Sequence, residues 1–448
     1  MNFKERFIKD YQEEAFNMLK KVISYPSVLD KYVENGEAPF GIPAKECLEY
    51  VLNKGKNDGF VPFNADNYAG HLEYGKGKES LGILAHLDVV PVEKAEWISD
   101  PFVLSFRDDK MYARGIVDDK GPFVASYFAL KMLKDDGFIP NRKIRLIFGC
   151  DEESGSRCLE RYFKLMEQPT IAFSPDAEFP VINGEKGMCS YDLLVNDNII
   201  DEFVSGERYN IVPSKAMMKI KIDLKKEFEA YCNQNNYKFE IENDKYIVYG
   251  IAAHAMCPQK GLNAAYILFD FLNKYSDSKL AKFVNNYYLF DPYGKKAGYA
   301  DYDEEMKELT SNFAVVDIKS GNGKIGINCR LPKDSDFDLI FNSVSKITKE
   351  YGYDYKELFR SKRHYVSSDS ELVKKLMDSY VKVTNDTINK PFSIGGGTYA
   401  RECKCAVAFG PQFVGREDVC HIANEYMFVE DFYKLVEIYY NAIYNLAK

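Results

Sequence analysis

Residues Leu81 to Leu87 read LGILAHL, an apolar run that ends on a histidine and is followed at once by Asp88. A short continuous run of this kind fits a strand buried on both faces, which only a sheet covered on both sides can supply. The neighbouring segments keep the pattern. Lys143 to Phe148 (KIRLIF) alternates as a strand, and Thr170 to Phe173 begins another. Phe123 to Leu133 (FVASYFALKML) is helical and apolar over a broad face, with Asp136-Gly137 as its stop, and Ser156 to Met166 also reads as helix. Ala15, Met18, Leu19 and Val22 recur at helical spacing near the start. Strands alternating with helices predict an α/β domain with a mainly parallel sheet.

The middle of the chain follows another rule. Ala216 to Leu224 (AMMKIKIDL) alternates like a half-exposed strand, and Lys238 to Glu242 with Lys245 to Tyr249 flank Asn243-Asp244 as a hairpin. Leu262 to Tyr275 is a helix, Lys324 to Arg330 a strand, and a helix follows around Phe337 to Tyr351. Strands with one polar face predict an open α+β sheet covered on one side. The helix at Ser368 to Val383 resumes the first pattern. The expected organisation is therefore a split α/β domain, residues 1–184 and 366–448, interrupted by an inserted domain at 185–365.

Composition narrows the function classes. The 59 Lys and Arg against 68 Asp and Glu give a net charge of −9, which argues against a nucleic-acid binder. No apolar stretch is long enough to span a membrane, and Met1 to Lys21 mixes charges where a secretory signal would be apolar. Ten scattered cysteines lack the density of a disulfide scaffold, so a cytoplasmic setting is expected. With only five histidines in 448 residues, where each falls is informative.

Acids and histidines gather where predicted strands end. His86-Leu-Asp88 closes the first run, and Asp118-Asp119-Lys120-Gly121 precedes a helix. Asp151-Glu152-Glu153 leaves one strand, Ser174-Pro175-Asp176-Ala177 leaves another, and Cys420-His421-Ile-Ala-Asn424-Glu425 lies near the C-terminus. Each has a plain reading by itself: a helix cap at Asp118, acids complementing a helix dipole, a solvated carboxylate beside a satisfied histidine. Together they offer imidazole nitrogen and carboxylate oxygen at the ends of parallel strands, where such sheets bind ligands. That donor set suits zinc or a similar ion. Adjacent Glu152 and Glu153 allow one to bind a metal while the other moves protons.

The order HLDVVP, RGIVDDKGP, DEESGS, SPDA and CHIANE resembles the di-zinc metallopeptidases that include aminoacylase and bacterial carboxypeptidase, and most of all the PepV-like dipeptidases. The resemblance runs over essentially the whole chain. It implies a di-zinc catalytic domain interrupted by a lid domain. It implies His86, Asp118, Glu153, Asp176 and His421 as metal ligands. Asp118 would bridge the ions, His86 and Asp176 would complete one, and Glu153 and His421 the other. Asp88 would orient His86, Glu152 would be the general base, and the Asp118–Asp119 bond would be cis. In the insert, His254 of GIAAHAMCPQKG would polarise the scissile carbonyl, Arg330 of NCR would grip a terminal carboxylate, and Asn210 of RYNIVP would lie by the substrate. Gly395, Gly396 and Gly397 of SIGGGTYAR would let backbone amides approach that carboxylate.

Some of these residues carry competing readings from the sequence. Arg330 could be a surface arginine on a strand, and His254, beside alanines, a core histidine. Cys150 and Cys420 read as buried packing, and Cys403-x-Cys405 is too little for a zinc site. The glycine run lacks the Gly-Lys-Ser/Thr of a phosphate loop. His71 and His364 receive no role.

The implied activity is a metal-dependent dipeptidase that hydrolyses short peptides by a metal-bound hydroxide, with Glu152 as base and the lid closing over the substrate. Two divalent ions are implied, zinc first, with manganese or cobalt able to use the same ligands. The expected partner is a small peptide, with no nucleic acid or membrane, and the chain is expected to be a monomer. The alternatives are an N-acyl or N-succinyl amino acid hydrolase on the same scaffold, with Asp119 the candidate partner for a free amine that would tell them apart, or a catalytically silent metal-binding protein.

Overall fold

A computed structural model describes residues Met1–Lys448. The chain divides into two compact units. One comprises residues 1–183, 365–392 and 397–448, and the other residues 184–364 and 393–396. Residues 393–396 thus leave the returning segment, where the sequence reading had put them. The reason is local pairing: Lys186 N–H donates to Ile394 O at 2.9 Å, and Arg330 Nη1 donates to Gly395 O at 2.8 Å.

In the first unit the strands Lys143–Gly149, Ser80–His86, Ile171–Ser174 and Ala406–Ala408 lie side by side and run parallel. The antiparallel pair Val61–Ala65 and Ala69–Tyr74 extends one edge. All seven residues of Ser80–His86 are buried, as the apolar run requires. The helix Lys120–Asp135 is buried nearly all round, because FVASYFALKML has no polar stripe to face water. It packs on the C-terminal helix Val429–Ala447. Phe123 meets Phe148 edge-on with ring centroids 5.4 Å apart, and truncating such a ring to alanine costs about 3–5 kcal/mol. This layer fixes the strand ends from below.

The second unit is an eight-stranded sheet in which every pair is antiparallel. Its order is Lys238–Glu242, Lys245–Tyr249, Lys215–Ile220, Ile200–Ser205, Thr310–Lys319, Asn322–Leu331, Gly187–Asn196 and Asp354–Ser361. Alternation along Asn322–Leu331 sorts its faces. Ile325, Ile327, Cys329 and Leu331 join the core with the helices Ala264–Tyr275, Lys279–Tyr287 and Phe337–Glu350. Asn328 and Arg330 point the other way. The hairpin turns at Asn243-Asp244 as read from sequence, but the strand at 215–220 stops before Leu224, which caps the helix Lys225–Gln234.

His71, which the sequence left without a role, is a core histidine. It is buried, its ring stacks on Phe63 at 5.1 Å, and its Nδ1 lies 2.7 Å from the Tyr162 hydroxyl. Burial pushes it down to about 4. The unfolded chain would protonate it near 6.5. The neutral ring therefore stabilises the fold fully above pH ~6.5, and this contribution is lost as the pH falls towards about 4. His71→Phe should cost stability at pH 7.5, and its deficit should shrink by about 2 kcal/mol at pH 5. Parallel pH–stability curves for the two proteins, from denaturant unfolding, would contradict this.

Candidate metal centre

Adjacent parallel strands in the first unit each hand on to an acid or an imidazole. Ser80–His86 ends on His86, opposite Gly149 in the register. Gly149 leads into Cys150-Asp151-Glu152-Glu153, and the strand Ile171–Ser174 leads into Pro175-Asp176. Two more groups come from loops. Asp118 precedes Asp119, the residue that caps the buried helix, and His421 precedes the strand Tyr426–Phe428. That strand pairs with Lys110–Tyr112, which brings together two loops 303 residues apart.

The side chains converge. His86 Nε2 lies 2.8 Å from Asp118 Oδ1 and 3.7 Å from Asp176 Oδ2. His421 Nε2 lies 2.8 Å from Asp118 Oδ2 and 3.2 Å from Glu153 Oε2. The result is two groups of three, His86–Asp118–Asp176 and Asp118–Glu153–His421, each with its ligand atoms within 4.8 Å of one another. Asp118 belongs to both and turns one oxygen to each imidazole. The Asp118–Asp119 bond is cis.

The charges around this cluster call for cations. Burial, reinforced by the Asp118 charge, pushes Asp176 and Glu153 above the usual carboxylate range. Burial pushes Glu152 up to about 8, with Glu153, Asp118 and Asp88 adding to it and His86 opposing. At Asp118 burial acts in the same sense, but hydrogen bonds with His421 and His86 outweigh it and hold the carboxyl well below its ordinary value. Hydrogen bonding to Asp118 and Glu153 pushes His421 up to about 11. His86 rises against its own burial through Asp118 and Asp88. Protons thus stand in where positive charge is wanted, and a bound divalent ion would replace them. Imidazole and carboxylate donors in two triads fit two such ions.

The other acids of these motifs are held by the protein itself. Asp151 pairs with Arg157 through two contacts of 2.7 Å and also accepts its N–H at 3.1 Å. Asp88 lies against His86 through both its carboxylate and its backbone. Its Oδ1 is 3.5 Å from His86 Nδ1, while its backbone carbonyl is the nearer partner at 3.0 Å. Its two carboxylate oxygens accept the N–H groups of Glu152 and Glu153, each at 3.1 Å. The strand ends at His86, so Asp88 lies beyond it and is free of the alternation that places residues i and i+2 of a strand on one face. Asp119 is fully buried and accepts the His86 N–H at 3.1 Å, so it does not present itself to a substrate amine. Glu152 differs from all of these. It belongs to neither triad, and no hydrogen bond holds its carboxylate.

The second unit places its own candidates. Arg330 is buried, so the reading as a surface arginine fails. His254 is exposed, so it is not a core histidine, and burial of part of its ring with the charge of Arg330 lowers its pKa. Ile211 pairs with His254 in an antiparallel bridge, and Ala255 N–H donates to the carbonyl of the exposed Asn210 at 2.9 Å. Gly395 packs so closely that a Cβ there would lie 2.5 Å from Met256 Cβ. Gly396 belongs to the same unit, while Gly397 belongs to the first, where a Cβ would collide with the Arg401 guanidinium.

Two residues that the sequence did not flag organise these loops. Thr310 Oγ1 donates to Ala255 O at 2.9 Å, and Asn312 Nδ2 donates to Tyr209 O and Ile211 O, each at 3.0 Å. They stand opposite Arg330 and Asn328 on the neighbouring strand. One face of two strands therefore holds both loops and the arginine. The only sequence signal was a run of three polar residues opening an otherwise apolar strand, TSNFAVV.

Comparison with known proteins decides the family. The model for "Peptidase family M20/M25/M40" matches residues 82–445. The chain belongs to this peptidase family. A Staphylococcus aureus (strain MW2) relative named "Putative dipeptidase MW1694" is 37% identical over 463 residues, spanning 98% of each chain. Human carnosine dipeptidase 1 has the same fold, with a TM-score of 0.60 at 14% identity, covering 100% of this chain and 99% of that one. Aminoacylhistidine dipeptidase from Vibrio alginolyticus gives a TM-score of 0.59 at 14% identity, covering 97% and 96%. The expected split α/β fold with its inserted α+β domain, and the metallopeptidase class, are thereby established.

Two tests follow. Asp118→Asn removes the donor common to both triads, so bound metal should fall from two equivalents towards none, whereas Asp176→Asn should leave one; elemental analysis after gel filtration reads the difference. Thr310→Val removes one hydroxyl without changing shape. It should lower peptide turnover about 10-fold or more through misplacement of the His254 loop, with Thr310→Ser restoring it and the unfolding midpoint little changed.

Proposed function

We propose that this M20 family member is a dipeptidase that hydrolyses short peptides at a centre of two divalent ions, zinc first among them. The observation that carries the reading is the pair of triads sharing Asp118, with the unligated carboxylate of Glu152 beside them. His86, Asp118 and Asp176 would hold one ion, and Asp118, Glu153 and His421 the other. When bound, the ions lower the pKa of a water and polarise a carbonyl.

The remaining work falls to the chain's own groups. Asp88 fixes the backbone of Glu152 and Glu153, so one glutamate can ligate while the other stays free. Glu152 takes the proton of the attacking water and returns it to the leaving amine. Arg330 suits the substrate's terminal carboxylate, since a guanidinium binds that group through two parallel hydrogen bonds. Gly395, Gly396 and Gly397 offer backbone amides to the same carboxylate. His254 donates to the oxygen of the scissile carbonyl, where a well-placed donor contributes several kcal/mol to the transition state, on the order of 3. Asn210 contacts the substrate beside it.

The relative at 37% identity supports the dipeptide over the N-acyl amino acid as substrate. The setting we infer is a monomer in a reducing cytoplasm, acting on small peptides and not on nucleic acid. Ten free cysteines support the reducing setting and the acidic balance argues against a nucleic-acid partner; no helix is long and apolar enough to cross a membrane.

The test uses protein reloaded with zinc, manganese or cobalt and assayed on free and N-acetylated dipeptides. Free dipeptides should turn over faster. Glu152→Gln should keep its metal and lose about 10²–10⁴-fold in kcat. Faster cleavage of the blocked substrates would transfer the assignment to the N-acyl hydrolases, and undiminished turnover by Glu152→Gln would remove the base.

A further inference from the structure

The loop that carries the exposed His421 also holds a buried group that the proposed reaction does not use. Glu425 is fully buried. Its Oε1 accepts Val117 N–H at 2.7 Å and Asp118 N–H at 3.3 Å. Its Oε2 accepts Gly115 N–H at 3.0 Å and Arg114 Nη1 at 2.7 Å. Its backbone carbonyl accepts Ala113 N–H at 3.2 Å. One carboxylate therefore gathers the backbone of Gly115, Val117 and Asp118, and it comes from the same short loop as His421. Leaving such donors unpaired in a dry interior is costly, and so is removing one partner of a buried ion pair. The neighbouring Asn424 adds a second tie: its Oδ1 accepts Ile98 N–H at 2.9 Å, and its Nδ2 donates to Glu96 O at 3.1 Å.

We propose that Glu425 is a positioning residue that sets the spacing of Asp118 and His421. It thereby governs affinity for the ion held by Asp118, Glu153 and His421 more than for the ion held by His86, Asp118 and Asp176. The asymmetry follows from the fold. In the first triad two of the three ligands sit on segments that Glu425 joins. In the second only Asp118 does, and His86 and Asp176 stand on or just beyond parallel strands that the sheet holds. The inference rests on the two-ion reading above and deepens it.

The chain supplies its own reporter. Trp97 is the only tryptophan. It lies between the two residues tied to Asn424, and the Arg114 guanidinium sits 5.3 Å from its ring centroid. Its emission should change as the 421–425 loop settles.

The experiment titrates chelator-stripped full-length protein with Zn²⁺ alone, followed by Trp97 emission and by competition with a chromogenic chelator. Glu425→Gln keeps the shape but replaces an acceptor with a donor facing N–H groups. One of the two binding steps should weaken by about 10–100-fold, and the other should stay within about threefold of wild type on the same scale. A folded Glu425→Gln protein with both steps unchanged, or with both weakened equally, overturns the proposal. If that variant does not fold, Arg114→Met decides. It leaves the carboxylate its three N–H bonds, so selective weakening of one step supports the proposal and unchanged steps overturn it. Peptide turnover does not enter. A wild-type protein that binds two ions and cleaves no dipeptide would sink the dipeptidase reading and leave this one standing.

Discussion

Everything at the candidate centre follows from one electrostatic constraint: acids of like charge gathered at the ends of buried parallel strands. Desolvation disfavours each charge and mutual repulsion disfavours them further. The fold answers in two ways, and the difference sorts structural acids from working ones. Asp151 has Arg157, Asp88 has two backbone N–H groups, and Glu425 has three with Arg114. Asp118, Glu153 and Asp176 have only imidazoles near them, and Glu152 has no hydrogen-bonded partner. Acids already satisfied by the protein have nothing left to offer a cation; the others do.

Much of this was legible in the sequence, for a physical reason. A fully buried parallel strand must be apolar along its length, so LGILAHL and its successors stand out, and an acid just past the run falls at the ligand-binding edge. Asp118 and His421 were not legible in that way. Their encounter depends on a short antiparallel pairing, Tyr112 with Tyr426, that leaves no pattern in either segment. Only the resemblance of ordered motifs pointed to it. Asp88, Thr310, Asn312 and Glu425 show the other limit. Each acts on backbone N–H or carbonyl groups of a distant segment, and every residue carries those groups, so nothing in the target sequence marks them.

The second unit obeys the same separation by different means. Its sheet buries one face under helices and leaves the other polar, so alternate residues of a single strand serve stability and chemistry. On Asn322–Leu331, Ile327 and Cys329 are core, while Asn328 and Arg330 face away from it. Because the side-chain period is two, a register slip of one residue would exchange the two sets. The apolar face thus fixes the register, and the register sets Arg330 opposite Thr310. Loop position is then a consequence of core packing, transmitted through three side-chain hydrogen bonds, one from Thr310 to the His254 loop and two from Asn312 to the Asn210 loop.

These features also say what order metal binding can impose. A small zinc module folds only when the ion arrives, because its core is too thin to hold the ligands in place. Here the strand ends rest on a helix buried nearly all round and on paired aromatic rings, and each fully buried side chain of that size contributes about 1.5–3 kcal/mol. Repulsion among a few carboxylates, partly relieved by two imidazoles, cannot unravel such a layer. The His86 and Asp176 side of the centre is therefore built by the sheet before any ion binds. The His421 side hangs on a loop, where 421 itself has a positive φ of 63°, and its anchorage comes from Asn424, Glu425 and the short antiparallel strand that follows them, not from the parallel sheet. Two ions bound by similar donors would thus meet unequal preorganisation: one enters a site the core has already paid for, and the other must also settle a loop.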